Sequence, residues 1–385
     1  MNNAPTPTES LPRIYWTAFI GLFFDFYDLY LFIYLEKVLV AQFNLAPAQS
    51  DWLQFSALAA VGVGSLSFGY LADRWGRGRV MLVVFGVYAL GIAGISLATG
   101  LTSLVTARIV ASLALGAEWG ISHTYVAERV PANRRYRFAA LLQFSLLGGL
   151  LAALSAKFLE PVLGWRLLFG LSIVPVALLS AVRWRALAVP SPDRERSSLP
   201  ALAVAISRNS GAFLLCLALA SLTIASGTLN VFYSKELPQS PWFPVVFWSI
   251  VAPGMLAGAA SVKRLGVGRT LMLYGLALLT LSLVAWKSHA ASRAIVFSLT
   301  LSFCNGVPFG LMGALFNEMF STYRTMLSGA AYNLGRIAAG YSPKLIRSLG
   351  LEQDGNYFLF TAVLGVLVLV LGNVLIVRRR SDPSG

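Results

Sequence analysis

Long apolar stretches alternate with short charged ones along this chain, and that pattern constrains the fold more than any other feature. A helix needs about 20 mostly apolar residues to cross the hydrocarbon core of a bilayer, where every backbone polar group must be satisfied within the helix. Such stretches occupy residues 14–35, 52–72, 80–98, 104–127, 137–159, 165–187, 211–235, 242–262, 270–287, 293–316, 326–348 and 356–377. The sequence therefore predicts an all-α membrane protein with twelve transmembrane helices.

Composition excludes several classes of soluble protein. Of the 385 residues, 57% are hydrophobic and 12% are charged, whereas soluble domains have about 25% charged residues. The net charge of +14 is carried by short clusters between the apolar stretches, which indicates a lipid bilayer and not nucleic acid as the partner. His123 and His289 have no catalytic or metal-ligand spacing, and Cys216 and Cys304 lie inside apolar stretches. We expect no enzyme, no metal site and no cofactor.

Basic residues indicate how the helices are oriented. Arg13 opens the first apolar stretch, which contains acids and lacks a small-residue cleavage site, so a membrane span is predicted there and not a signal peptide. Twenty of the 30 Lys and Arg residues fall on the side of the chain termini, and eight fall on the opposite side. Because cytoplasmic loops carry the excess of basic residues, we expect both termini to be cytoplasmic, in a cell inner membrane.

The chain is divided into two related halves. A charged, Pro- and Ser-rich segment predicts a cytoplasmic linker at 188–210 between six-helix bundles at 1–187 and 211–385. A shift of 190 residues aligns the two halves. The matches are Arg74-Trp75-Gly76-Arg77-Gly78-Arg79 with Arg264-Leu265-Gly266-Val267-Gly268-Arg269, Gly116 with Gly306, Gly120 with Gly310, Glu128 with Glu318, and Arg134 with Arg324. Internal repeats of this kind characterise secondary transporters, whose substrate site lies near the bilayer midplane.

The loop GYLADRWGRGR at 69–79 resembles the signature loop of the major facilitator superfamily, and the resemblance extends over essentially the whole chain. It implies that this loop latches the cytoplasmic gate. The residues expected to act in gating are Gly69, Asp73, Arg74, Gly76, Arg77, Glu128, Arg134, Glu318 and Arg324. A carboxylate suits the positive end of a neighbouring helix, and glycine permits a tight turn. The arginines could alternatively be positive-inside anchors, and Lys263 in the second copy replaces the acid.

Three further segments resemble those of proton-coupled metabolite and organic-acid symporters in that superfamily. They are the first span from Gly21 to Asp28, the segment from Gly116 to Gly120, and Tyr332-Asn333-Leu334-Gly335-Arg336. The resemblance implies symport of a small polar metabolite, most simply an anionic carboxylate, with protons, by a monomer that works by alternating access. A proton-driven efflux pump for a drug or secondary metabolite uses the same fold and is the alternative.

Ionisable residues inside the predicted spans are candidates for proton coupling, because charges in lipid are costly and normally face a partner or a cavity. Asp25 and Asp28 lie on one stripe of the first helix. Asp28 is about 21 Å deep from the inner side at about 1.5 Å per residue, and Arg108 of the fourth span is about 24 Å deep. An Asp28–Arg108 pair is therefore expected, and it could either exchange a proton or be a permanent salt bridge. Glu118, near the middle of the fourth span, could be a second proton site or a partner for Arg108, while Asp25 could line a solvated cavity.

Arg336 lies near the midplane of the eleventh span, without an acid on its own helix. A guanidinium in a central cavity suits an anionic solute, although Arg336 could instead pair with Asp25 or Glu118. Polar residues at similar depth could also contact substrate or could bond neighbouring helices. These residues are Tyr30, Gln143, Asn230, Asn305 and Asn333.

Overall fold

The computed structural model describes residues 10–187, 199–234, 243–287, 291–351 and 356–381, and within these ranges the chain is helical and contains no strand. We number the twelve main helices in chain order. They are α1 Leu11–Tyr34, α2 Pro47–Trp75, α3 Arg77–Ser96, α4 Leu101–Arg129, α5 135–163, α6 165–187, α7 Leu199–Ser234, α8 Phe243–Leu265, α9 Val267–Trp286, α10 Ala291–Met319, α11 Arg324–Gly340 and α12 Tyr357–Ser381. Short helices at Glu36–Phe43 and Ser342–Ser348 follow α1 and α11.

The number of membrane crossings agrees with the prediction of twelve. Ten helical segments of the described chain are long and apolar enough to span a bilayer. One of these, Ala132–Ala181, is interrupted at Gly164, whose φ of 72° breaks the helix and separates α5 from α6. The remaining span is α11, which is polar because it carries Asn333 and Arg336 and which Ser342–Ser348 extends.

Several helix boundaries differ from the predicted ones because helices continue beyond the apolar stretches that reveal them. α2 and α4 have 29 residues each, about 43 Å of helix against a hydrocarbon core of about 30 Å. α7 begins at Leu199, within the predicted linker, whose residues 188–198 lie outside the described part. The predicted boundaries thus mark the apolar middle of each helix and not its ends.

Glycine contacts that join α2 to α4 recur between α8 and α10 at the same shift of 190 residues. A Cβ at Gly116 would overlap the Val61 carbonyl oxygen, and a Cβ at Gly306 would overlap that of Val251. The reciprocal contacts have the same register, with Gly64 on Leu113 and Gly254 on Phe303. Small residues allow close backbone approach in membranes, where association depends on van der Waals packing. The repeat in the sequence is therefore also a repeat in the packing.

We expect Gly116→Ala and Gly306→Ala each to destabilise the protein by about 1–3 kcal/mol, because the added methyl group forces two backbones apart. The measurement is thermal unfolding of the purified protein in detergent. Gly86→Ala is the matched control, since Gly86 is also within a helix but has no atom within 4 Å of its would-be Cβ. Equal melting temperatures for all three variants would contradict this account of the packing.

Candidate functional site

The Asp73 carboxylate joins the two halves of the chain. Asp73 lies near the end of α2, and its Oδ1 and Oδ2 accept hydrogen bonds of 3.1 and 2.9 Å from the backbone N–H groups of Thr325 and Met326. These two residues begin the first turn of α11, where N–H groups have no partner within the helix. The partial positive charge of the helix N-terminus favours a carboxylate at this place.

Arg77 holds this carboxylate in position. Its Nη2 lies 3.1 Å from Asp73 Oδ1 and 2.8 Å from Glu128 Oε1, so one guanidinium serves an acid on α2 and another on α4. Gly76 has φ of 99°, a conformation that favours glycine, and it makes the turn between α2 and α3. A Cβ at Gly69 would lie 2.8 Å from the Met326 Cα. We call Gly69, Asp73, Gly76, Arg77 and Glu128 the latch.

The other predicted gating residues have different surroundings. Glu318 at the end of α10 accepts a hydrogen bond of 2.6 Å from the Tyr136 hydroxyl of α5, a second contact between the halves. Arg324 donates from Nε to the Phe320 carbonyl at 3.0 Å. The predicted gating residues outside these contacts are the exposed Arg74 and Arg134. We call the side of the bundle with the latch and the start of α1 the latch side, and the opposite side the far side.

Five ionisable residues form a central charged cluster, which we define as Asp25, Asp28, Arg108, Glu118 and Arg336. Asp25, Asp28, Arg108 and Glu118 are between 1% and 5% exposed, whereas Arg336 is partly exposed. Buried charges require partners or protons, because desolvation of an isolated charge is very costly. The cluster is therefore the part of the bundle where chemistry is expected.

The predicted Asp28–Arg108 pair is close but not in direct contact. The two charges interact electrostatically, yet no ion pair of 4.0 Å or less joins these described residues. Instead, Ser172 donates a hydrogen bond of 3.1 Å to Asp28 Oδ2, and the Arg108 guanidinium lies 4.0 Å from the centre of the Phe32 ring. Asp28 Oδ1 and Arg108 Nε have no hydrogen-bond partner.

Glu118 and Asp25 form a second acidic pair. Ser122 donates a hydrogen bond of 2.6 Å to Glu118 Oε1, while Glu118 Oε2 and Asp25 Oδ2 have none. A Cβ at Gly21 would lie 2.8 Å from Glu118 Oε1, so the glycine allows this acid to approach α1. Asp25 interacts with Glu118, with Asp28 and with Arg336.

The cation on α11 has unused hydrogen-bond donors. Arg336 Nε and Nη2 are buried without a hydrogen-bond partner. The guanidinium interacts electrostatically with Asp25 and with the Tyr30 and Tyr332 hydroxyls. Of the alternatives raised by the sequence, Asp25 is thus the acid that interacts with Arg336 in this structure, without a direct ion pair.

Two of the predicted polar residues make their contacts within the second half. Asn230 Nδ2 donates to the Ser302 hydroxyl at 3.0 Å and to the carbonyl of Ser298 at 3.0 Å. Asn305 Oδ1 accepts from Ser226 at 2.9 Å and from Tyr274 at 2.8 Å. These bonds connect α10 to α7 and α9.

The other predicted polar residues lie where the halves meet. Asn333 donates to the Gly116 carbonyl of α4 at 2.8 Å. Gln143 Oε1 accepts from Trp119 Nε1 at 3.2 Å and lies 3.1 Å from His123 Nε2. Gln143 Nε2 is buried without a hydrogen-bond partner, so it is a further unused donor.

Aromatic contacts between the halves were missing from the sequence-based set of site residues. Trp119 stacks on Tyr332 with ring centres 3.8 Å apart and planes 2° apart. Tyr30 meets Trp248 edge to face at 4.8 Å. A signal was present, since Trp119 follows Glu118 directly and Tyr332 precedes Arg336 by one helical turn, but aromatic residues are common in membrane helices.

We expect Arg77→Ala to destabilise the protein by about 3–5 kcal/mol, because it leaves Asp73 and Glu128 as neighbouring carboxylates without their shared cation. Arg74→Ala removes the same charge from an exposed position in the same segment and should change stability by less than about 0.5 kcal/mol. Thermal unfolding in detergent measures both variants. A similar loss for the two would show that Arg77 acts only through net charge.

Comparison with known proteins agrees with this architecture. The profile of the Major Facilitator Superfamily matches residues 18–343. A cis,cis-muconate transport protein of Acinetobacter baylyi is 26% identical over 95% of this chain and 94% of its own length. The niacin transporter NiaP of the same organism is 33% identical over 43% of this chain and 40% of its own.

A solved structure has the same fold. The proton:xylose symporter XylE superimposes with a TM-score of 0.73 at 16% identity, over 94% of each chain. The proteins compared here are transporters and not enzymes. The chain therefore belongs to the Major Facilitator Superfamily and is a multi-pass secondary transporter.

Proposed function

We propose that the protein is a proton-coupled symporter of a small organic acid in its anionic form. The observation that carries this proposal is the Arg336 guanidinium, which has two buried nitrogens without hydrogen-bond partners and lies between the two halves. Arginine binds carboxylates through paired, charge-assisted hydrogen bonds. The cargoes named for the two relatives, muconate and niacin, are carboxylates and support the same solute class.

Charge balance supports the coupling to protons. The central charged cluster contains three carboxyl groups and two guanidinium groups, so it carries one excess negative charge when all five are ionised. A net charge is costly in a buried site, and one proton neutralises it. A bound anion at Arg336 adds a further negative charge and competes with Asp25 for the guanidinium. A second proton then restores neutrality, so anion and proton are expected to move together.

The latch suits alternating access. Asp73, Arg77 and Glu128 connect α2, α4 and the N-terminus of α11, so opening of the latch side requires these bonds to break. In this proposal the bundles 1–187 and 211–385 rock about the central charged cluster, and 188–210 connects them. We further propose a monomer in the cell inner membrane, with the latch side and both termini in the cytoplasm.

The direct test is uptake by proteoliposomes of the purified full-length protein under an imposed pH gradient. Labelled muconate, nicotinate and benzoate are the anionic probes, and xylose and leucine are the neutral and zwitterionic ones. Uptake of an anion that collapses with a protonophore supports symport. Expulsion of every transported compound by an inward proton gradient would support an efflux pump instead.

We expect Asp28→Asn to abolish uphill accumulation and to leave counterflow of the same anion intact, since a permanently neutral side chain cannot release a proton. Asp51→Asn is the control, because Asp51 is exposed at the far side. Normal accumulation by Asp28→Asn would remove Asp28 from the coupling mechanism and leave Asp25 and Glu118 as its candidates.

We expect Arg336→Gln to raise the KM for the anion about 10- to 100-fold, the loss associated with one charged hydrogen-bond partner, and Arg336→Lys to restore part of it. Lys344→Gln, which removes an exposed charge just beyond α11, should leave KM unchanged. An unchanged KM for Arg336→Gln would show that the anion binds elsewhere.

A further inference from the structure

Four aromatic residues form two contacts across the interface between the halves, and each half supplies one residue to each contact. Trp119 of α4 stacks on Tyr332 of α11, and we call this the latch-side pair. Tyr30 of α1 meets the edge of Trp248 of α8, and we call this the far-side pair. Because each contact joins two bodies that must separate in alternating access, neither contact can persist through a transport cycle.

Arg336 lies between the two pairs. At about 1.5 Å per residue, Tyr332 is about 12 Å and Arg336 about 18 Å from the start of α11. Trp119 is about 15 Å from the latch-side end of α4. Tyr30 is about 28 Å from the start of α1, and Trp248 is about 26 Å from the latch-side end of α8. The electrostatic contacts agree with these depths, since Arg336 interacts with both Tyr30 and Tyr332.

The latch-side pair is strongly braced. The Trp119 and Tyr332 side chains are 1% and 2% exposed. Trp119 Nε1 donates to Gln143 of α5 at 3.2 Å, and the same amide oxygen contacts His123 at 3.1 Å. A Cβ at Gly313 of α10 would overlap the His123 ring, so α10 packs directly on this brace.

The far-side pair has a weaker connection. Its rings meet at 72° with centres 4.8 Å apart, and Trp248 Nε1 donates to the Tyr34 hydroxyl at 3.4 Å, longer than the usual 2.7–3.2 Å. Gly149 of α5 supports both rings, since its would-be Cβ would lie 2.9 Å from Tyr30 and 3.1 Å from Trp248. Trp248 is 3% exposed, so the indole fills this end of the interface.

We propose that the two aromatic pairs are the two doors of one compartment around Arg336, and that Trp248 is the residue that closes it toward the far side. This inference rests on the proposed function for its purpose, although it concerns only access to Arg336. The structure has both pairs in contact, and the far-side door has fewer bonds to break. The far-side door is therefore the one that opens first from this arrangement.

The test measures access to the compartment without substrate or a proton gradient. Cys216→Ala and Cys304→Ala remove the native thiols, and Arg336→Cys introduces a reporter thiol. The membrane-impermeant reagent trimethylammonioethyl methanethiosulfonate is added to sealed vesicles of either orientation. Trp248→Ala should speed labelling from one membrane face about tenfold, as loss of one aromatic contact can. Trp119→Ala should speed it only from the opposite face, and by less, because the latch remains.

Controls separate the doors from general loosening. Trp52→Ala and Trp16→Ala remove exposed tryptophans near the far-side and latch-side ends and should leave both rates unchanged. Trp248→Phe should restore slow labelling, Trp248→Leu is a second variant if Trp248→Ala does not fold, and Glu118→Cys is a second reporter at similar depth. Unchanged labelling of Trp248→Ala, or equal acceleration from both faces, would overturn the proposal. Because no transport is measured, either result leaves the test of symport independent.

Discussion

The hydrogen bonds from the first turn of α11 to the Asp73 carboxylate are the interaction on which the rest of the structure depends. Helices in a bilayer gain no hydrophobic driving force from association with one another, so the two halves are held by packing and by polar contacts. Arg77 keeps the carboxylate at the positive end of α11 and connects it to Glu128. The close approach of α2 to α11 at Gly69 is possible only in this arrangement.

The latch and the central charged cluster use buried charge in opposite ways. Both Asp73 oxygens accept hydrogen bonds and the carboxylate is paired with Arg77, so the latch stabilises one arrangement of the halves. Asp25, Asp28, Arg108, Glu118 and Arg336 each retain a polar atom without a hydrogen-bond partner. An unsatisfied buried polar atom costs about 1–3 kcal/mol. Such atoms are reasonable where a proton or a ligand completes the bonding for part of a cycle.

Much of the fold was predictable because its signals are local or periodic. The twelve helices follow from apolar stretches of bilayer length, and the one polar span, α11, was found from the same count. The shift of 190 residues also predicts packing, since Gly116 and Gly306 make equivalent contacts. The ends of helices were less predictable, as at Leu199, because a helix continues in water with polar residues that resemble a linker.

Residue types and spacing alone specified the helix count, the two related halves and the acid, glycines and arginines of the latch, because each depends on neighbours in the chain. Pairing between distant residues required the folded structure. The sequence placed Asp28 and Arg108 at one depth, but the rotation of α1 and α4 separates them beyond 4.0 Å and brings Asp25 toward Arg336. The contacts of Trp119 with Tyr332 and of Tyr30 with Trp248 likewise depend on how four helices from two halves turn toward one another, which no single helix encodes.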